Sequence, residues 1–285
     1  MKLVSSIEEQ KYVEMYNDGQ STVKIGIEFN RAPGTVKNHL NKLGIMLRSN
    51  RENSKKYYIK NEHYFDVIDS EDKAYLLGWM YSDGYIGKEQ SPNSDYVAKR
   101  LGLSVGDKDV EILELLRDKL KTNNQIHHYK TGKSGYKENV PYCRLLVSSN
   151  TLVDGLLEHG VVYNKSNIIK APIDIPYDMR RHFIRGYMDG DGSISISHGK
   201  TGNLEFNVKF IATPSVAQWI ADYFLENHLV YKQTKFDLRH PDDKVVQLRW
   251  GGNNQVRHML DHLYNNSTYY LTRKHNRYLQ LCEMK

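Results

Sequence analysis

The chain has only two cysteines among its 285 residues, Cys143 and Cys282, far apart and without partners at metal-ligand spacing. That excludes a disulfide framework and a thiolate zinc site, and leaves both expected as small buried side chains. No apolar run approaches the roughly 18 residues that span a bilayer, and the opening MKLVSSIEEQ lacks the apolar core of a secretion signal. A soluble, intracellular protein that does not bind membranes is expected. At 39% apolar and 26% charged, the chain is too hydrophobic in its periodic stretches for disorder and long enough for two or three domains.

Charge of one sign is not in large excess, with a net of +6, but it is unevenly placed. Residues 1–60 hold 11 Lys/Arg against 6 Asp/Glu, so +5 of the total sits in that segment. Such clustering is the footprint of a polyanion, most simply nucleic acid. Within it, "STVKIGIEFNRAPGTVKNHLNKLGI" (21–45) shows two short helical patterns split by Asn30-Arg31-Ala32-Pro33, and "IEEQKYVEMYNDG" (7–19) supplies a preceding helix. Ser21 suits an N-cap, Gly26 permits close approach, and Val23, Ile27, Val36 and Leu40 are expected as core. This predicts a helix-turn-helix over 1–46, with Thr35, Lys37, Asn38 and Lys42 outward for phosphates and base edges. A small packing module is the plainer alternative. Residues 47–64 read as a basic linker in which Arg48 and Arg51 follow the DNA backbone, or as a merely solvated one.

From residue 70 the chain repeats. "AYLLGWMYSDGYI" (74–86) aligns with "HFIRGYMDGDGSI" (182–194), pairing Gly78 with Gly186, Asp83 with Asp191 and Gly84 with Gly192 at a constant offset of 108. Each copy continues with strand, helix, two further strand candidates and a helix, including strand candidates at 231–239 and 244–250 in the second. Two α/β halves, 65–172 and 173–285, are therefore expected about a pseudo-two-fold.

Gly78 with Ser82, and Gly186 with Gly190, put small residues four apart on each apolar helix, which lets two backbones touch. Helices paired in this way bring Asp83 and Asp191 side by side. Two such carboxylates repel unless one is protonated or a cation intervenes, and Mg²⁺ with oxygen ligands suits phosphodiester hydrolysis. A single Asp-Gly is more simply a helix end with its turn; its recurrence at equivalent places favours the site. An EF-hand reading of "DGDGSISISHGK" fails on register, since Ile194 stands where the loop glycine belongs and Lys200 where the bidentate acid belongs.

"LLGWMYSDG" (76–84) and "IRGYMDGDG" (184–192) resemble the two signature motifs of a single-chain LAGLIDADG homing endonuclease over roughly residues 65–285. The first departs from the pattern at Tyr81-Ser82. The resemblance implies an α/β (α+β) fold of two αββαββα halves whose antiparallel sheets form a DNA-binding saddle. It also implies that Asp83 and Asp191 bind divalent ions with help from the carbonyls of Ser82 and Gly190. It further points to a basic residue from each half: Lys165 in "VVYNKSNIIKAP" and Lys274 in "YYLTRKHNRYL", with Arg273 open as the alternative. The lysines lie 109 apart, close to the aspartates' offset, and a lysine there would hold the attacking water or stabilise developing charge. Asp189 reads as the less critical acid, its counterpart being Tyr81.

In "NLEFNVKFI" apolar residues alternate with Asn203, Glu205, Asn207 and Lys209, giving one packed and one polar face. Arg100, Asn207, Lys209, Lys232, Lys235, Arg239, Gln247 and Arg249 are candidates for a groove-facing surface, with Arg and Gln suited to guanine and adenine edges. The combined expectation is a monomeric, Mg²⁺-dependent, site-specific endonuclease of double-stranded DNA, without an obligate protein partner, which by resemblance spreads the intron or reading frame that encodes it. The competing readings are a catalytically silent DNA-binding regulator or intron RNA maturase, disfavoured by the retained acids, and an intein fragment, disfavoured by the absence of a terminal His-Asn.

Overall fold

The structure, a computed structural model, describes residues 4–18, 20–47, 58–90, 96–132, 139–198, 202–232 and 244–284. The chain divides into two compact units, 1–57 and 58–285.

In the first unit, α1 (Ser6–Asn17), α2 (Thr22–Glu28) and α3 (Pro33–Lys42) enclose a small core of Tyr12, Tyr16, Ile25, Val36 and Leu40. Ser5 and Ser21 cap the first two helices through their hydroxyls, and Pro33 opens the third, where its missing N–H costs nothing. Val23 and Ile27, expected inside, are exposed at 53% and 76%. The inward face of α2 is set instead by Ile25 and Phe29, four apart, with Gly26 beside them; 23 and 27 lie on the other side of that helix. Gly26 is needed for the turn, because a Cβ there would lie 2.6 Å from the Arg31 carbonyl oxygen. Arg31 donates to Glu8 at 2.9 and 3.2 Å and holds that carboxyl down at about 2. Lys37, Asn38 and Lys42 are exposed and Thr35 half-buried.

The second unit starts earlier than the sequence suggests. Ile59 bridges to Thr122, and Tyr64 is buried in the main core, so 58–64 is part of this body and not linker. The body begins with α4 (Glu71–Ser82), β1 (Gly84–Gln90), β2 (Val97–Gly106), α5 (Glu111–Lys119), β3 (Ile126–Lys130), β4 (Pro141–Ser148) and α6 (Asn150–Glu158). The second half repeats this as α7 (Arg180–Asp191), β5 (Gly192–His198), β6 (Leu204–Ala212), α8 (Pro214–Glu226), β7 (Val246–Gly251) and α9 (Asn253–Tyr264), followed by α10 (Thr272–Cys282). Both sheets are antiparallel, ordered β1-β2-β4-β3 and, among the described residues, β5-β6-β7. The expected strand at 231–239 falls almost wholly outside the described residues. No helix among the described residues is long and apolar enough to cross a membrane.

The halves share one core, with α4 and α7 at its centre. α4 is buried all round from Ala74 to Ser82, as a helix apolar on every side must be. The two helices meet backbone to backbone: a Cβ on Gly78 would lie 2.2 Å from the Phe183 carbonyl oxygen, and one on Gly186 2.0 Å from that of Tyr75. No side-chain shift relieves a clash with a carbonyl. Gly186→Ala is therefore expected to cost about 3 kcal/mol, read as a lower urea midpoint with unchanged slope. Each helix passes into its strand without a loop, so that Gly84 pairs with Leu103 and Gly192 with Phe210. Neither glycine has positive φ. Both are required for space, since a Cβ would sit 2.5 Å from Met80 Cα or from the Met188 carbonyl oxygen in the turn just completed.

Candidate active site

The helix pair delivers Asp83 and Asp191 to the same place. Asp83 follows the last residue of α4, and Asp191 is the last of α7. A Cβ on Gly190 would meet Ser82 Oγ at 1.9 Å and Asp83 Oδ2 at 2.9 Å, so the Asp83 carboxylate leans across the end of the opposite helix. Both aspartates keep an exposed surface, yet protein surrounds them, and loss of hydration is the first cause of the rise in both pKa values. Asp191 adds its charge against Asp83, whose carboxyl is pushed up to about 6. Two helix C-termini, each with its negative dipole end, add to the same potential.

Buried lysines answer it. Lys165 Nζ donates to the Ser82 carbonyl oxygen at the end of α4. Lys274 Nζ donates to the carbonyls of Met188, Asp189 and Gly192 at 2.7 Å each and of Gly190 at 3.2 Å. Burial lowers both, Lys274 to about 8. An ammonium has three donors, and four carbonyl oxygens already share those of Lys274. The donors of Lys274 are therefore taken up by these carbonyls. The basic side chain that lines the Asp83 cavity is Arg273.

Two cavities open at the acids. One, of about 330 Å³, is lined by Asp83, Ser104, Gly106, Asp109, Tyr142 and Arg273, among others. The second, of about 220 Å³, includes Asp191, Ser82, Lys165, Tyr187, Ile211 and Val245. Ser104, Tyr142 and Ile211 belong to the outward faces of their sheets, alternating with the buried Leu103, Cys143 and Phe210. Each sheet's open face thus runs into the cavity of one aspartate.

Those faces carry most of the sheet residues picked from sequence. Asn207, Lys209, Gln247 and Arg249 lie together opposite Phe206, Val208, Phe210 and Leu248, and Arg249 Nη2 donates to Asn207 Oδ1 at 3.1 Å. Arg100 lies on the outward face of β2 and is paired to Glu89 at 3.1 Å. Lys232 is exposed beyond α8 rather than on a described strand, and Arg48, Arg51, Lys235 and Arg239 lie outside the described residues. On the first half's face the sequence marks Arg100 alone, whereas Tyr129 and Tyr142 also stack there at 5.4 Å under Arg144. The alternation in "PYCRLLVS" is its signal.

Asp189 has a different importance from the one the sequence suggested. It is fully buried and accepts from Tyr75 Oη at 2.8 Å, Tyr264 Oη at 2.6 Å and the Leu271 N–H at 2.8 Å. One turn earlier Arg185, also fully buried, donates to Glu71 at 2.7 Å and to the carbonyls of Tyr269 and Leu263 at 2.7 and 2.9 Å. These bonds tie α7 to the start of α4, to α9 and to the approach to α10. The repeat-equivalent corner, where α4 meets the start of α7, is built from Leu77, Tyr81, Met179 and Phe183, with Tyr81 edge-on to Phe183 at 5.0 Å.

Among the described residues no group of three or more His, Cys, Asp or Glu forms a metal cage. The donor set fits a different kind of site: two carboxylates and helix-end carbonyls, all hard oxygen, in a pocket with negative excess, suited to Mg²⁺-like ions that keep waters and share substrate phosphate.

No protein-family profile and no curated protein sequence matches the chain. Solved structures do. The I-LtrWI LAGLIDADG homing endonuclease bound to target DNA is similar at a TM-score of 0.51 and 11% identity, over 79% of this chain and 91% of that one. A variant of I-SmaMI is similar at 0.50 and 12%, over 73% and 89%. The fold is thus that of the LAGLIDADG homing endonucleases, with both halves in one chain. Likeness at this identity establishes architecture; the chemistry rests on the residues.

Proposed function

We propose that the protein is a monomeric, site-specific endonuclease that cuts both strands of double-stranded DNA in a divalent-metal-dependent hydrolysis. The observation that carries this reading is the convergence of Asp83 and Asp191 at two helix ends in backbone contact, each acid opening into a cavity continuous with one sheet's polar face. Asp83 and Asp191 would hold hard cations such as Mg²⁺, together with the Ser82 and Gly190 carbonyls. When bound, such an ion polarises the scissile phosphate and lowers the pKa of a water. Lys165 and Lys274 fix those carbonyls and offset the acids' charge. Asn207, Lys209, Gln247, Arg249 and Arg100 would face the grooves, and their phosphate-directed neighbours set the register. A silent DNA-binding regulator would gain nothing from a mutually repelling, accessible pair of acids.

Cleavage selection from a randomised duplex library, with and without Mg²⁺, tests the reading. A shared long, asymmetric site among products formed only with Mg²⁺ is expected, and absence of cleavage under all conditions would overturn it.

The first unit is read as a helix-turn-helix whose α3 lies on DNA through Thr35, Lys37, Asn38 and Lys42. Removing 1–46 is expected to weaken binding and make its salt dependence shallower by about 2 or more, at roughly 0.9 for each phosphate that is no longer neutralised. An unchanged slope in a filter-binding titration would take this unit off the DNA.

A further inference from the structure

The two aspartates sit in unequal surroundings. Through the pairing of Gly84 with Leu103 and Gly192 with Phe210, residue 109 beyond β2 corresponds to residue 216 beyond β6. The first is Asp109 and the second a fully buried Val216. Likewise Arg273, just before Lys274, corresponds to Asn164 before Lys165. The Asp83 cavity is therefore lined by an acid and a forked guanidinium, whereas the smaller Asp191 cavity has Ile169, Ile211 and Val245 beside one cation, Lys165, a buried ammonium that already donates to the Ser82 carbonyl.

Arg273 is held in a definite pose. Its Nε and Nη2 donate to the two carboxylate oxygens of Asp109 at 2.7 and 2.8 Å, a fork-on-fork pair. That pair uses two of the five guanidinium N–H donors. Asp109 is 13% exposed while Arg273 is 51% exposed, so the acid forms the backing and the guanidinium the open side. The neighbouring Thr272 is anchored separately, its N–H and hydroxyl donating to Glu111 at 2.8 and 2.6 Å, so the start of α10 does not depend on Arg273 for its position. A planar, pre-oriented guanidinium beside a metal-suited carboxylate is matched to a phosphate.

We propose that Arg273, backed by Asp109, clamps a DNA phosphate at the Asp83 centre, and that the Asp191 centre has no equivalent acid-backed guanidinium, so the two strands are held and cut unequally. The inference rests on the endonuclease reading and assigns to Arg273 substrate contact, and to Asp109 the positioning of Arg273.

The test has a metal-free arm and a cleavage arm. Duplexes carrying a single uncharged methylphosphonate, scanned along each strand, are bound in EDTA by the full chain and by Arg273→Gln, Arg273→Lys and Asp109→Asn. In the wild type several positions are expected to cost affinity, and one of them, on one strand at the cleavage centre, about tenfold through Arg273, the worth of one charge-assisted hydrogen bond. That sensitivity should vanish in Arg273→Gln and persist in part in Arg273→Lys. In the cleavage arm, end-labelled strands should show Arg273→Gln slowing one strand at least about tenfold more than the other, so that nicked duplex accumulates, with Asp109→Asn intermediate. A methylphosphonate profile unchanged by Arg273→Gln, or equal slowing of both strands, would mean that the pair only joins the halves. Failure of the wild type to cut any DNA would sink the endonuclease reading instead, and the binding arm would still decide the phosphate contact.

Discussion

Asp83→Asn and Asp191→Asn are each expected to lower double-strand cleavage by about 10³-fold, several kcal/mol of charge stabilisation at the scissile phosphate, while changing DNA affinity little. The amide keeps the size of the carboxylate and loses the negative charge that recruits a cation. Binding is spared because the sheet faces and the first unit are untouched. Stability should move the opposite way. The Asp83 carboxyl sits at about 6 in the folded chain against an ordinary 3.8, so its ionisation opposes folding. That opposition is fully present above about pH 6, declines as pH falls towards 3.8, and is absent below it. Metal-free Asp83→Asn should accordingly melt higher than the wild type at about pH 7.5, with the gain shrinking by about pH 4.5. Full cutting by either variant would discard the paired-acid mechanism; a lower melting point at the higher pH would discard the electrostatic account.

Arg185→Leu is expected to cost about 3–5 kcal/mol, because it leaves Glu71 without its countercharge beside the helix interface, held only by the Thr268 and Tyr269 N–H groups, and removes the donors for two carbonyls. The mirror corner suggests the partial remedy. There Leu77 and Met179 occupy the repeat-equivalent places, so combining Arg185→Leu with Glu71→Met imitates a packing the molecule already contains. The double variant should recover part of the loss, since no charge is left behind, and stay below the wild type, since the Leu263 and Tyr269 carbonyls and the Thr268 and Tyr269 N–H groups lack their partners. A double-mutant cycle by urea denaturation reads this directly. Strictly additive effects would show that Arg185 stabilises through those carbonyls and owes nothing to Glu71.

The repeat made much of this legible in the sequence. Two copies of one pattern mark both motif helices and both aspartates, the family resemblance points to both lysines, and strand alternation in 203–211 marks the open face around Asn207 and Lys209. What escaped is what a repeat cannot display. Arg185, Asp189 and Glu71 matter where the copies differ, and Arg185 looks like an ordinary charge on an apolar helix until the partners brought to it from distant segments are in view. Asp189 ranks low in the sequence because Tyr81 replaces it in the first copy, although that replacement marks the corner as polar on one side and apolar on the other. Val23 and Ile27 were misplaced for a local reason: a seven-residue helix offers too few positions to fix its buried face before its neighbours are known. Lys274 and Arg273 are adjacent in sequence, and only the carbonyls gathered around the lysine distinguish their surroundings.

The Asp83 carboxylate lies over Gly190, and Asp191 shares its cavity with Ser82. Neither half contains both acids' surroundings by itself. If the proposed cleavage holds, a chain that kept only one repeat would lose the setting of both acids at once, so the two copies are bound to each other as one heritable unit.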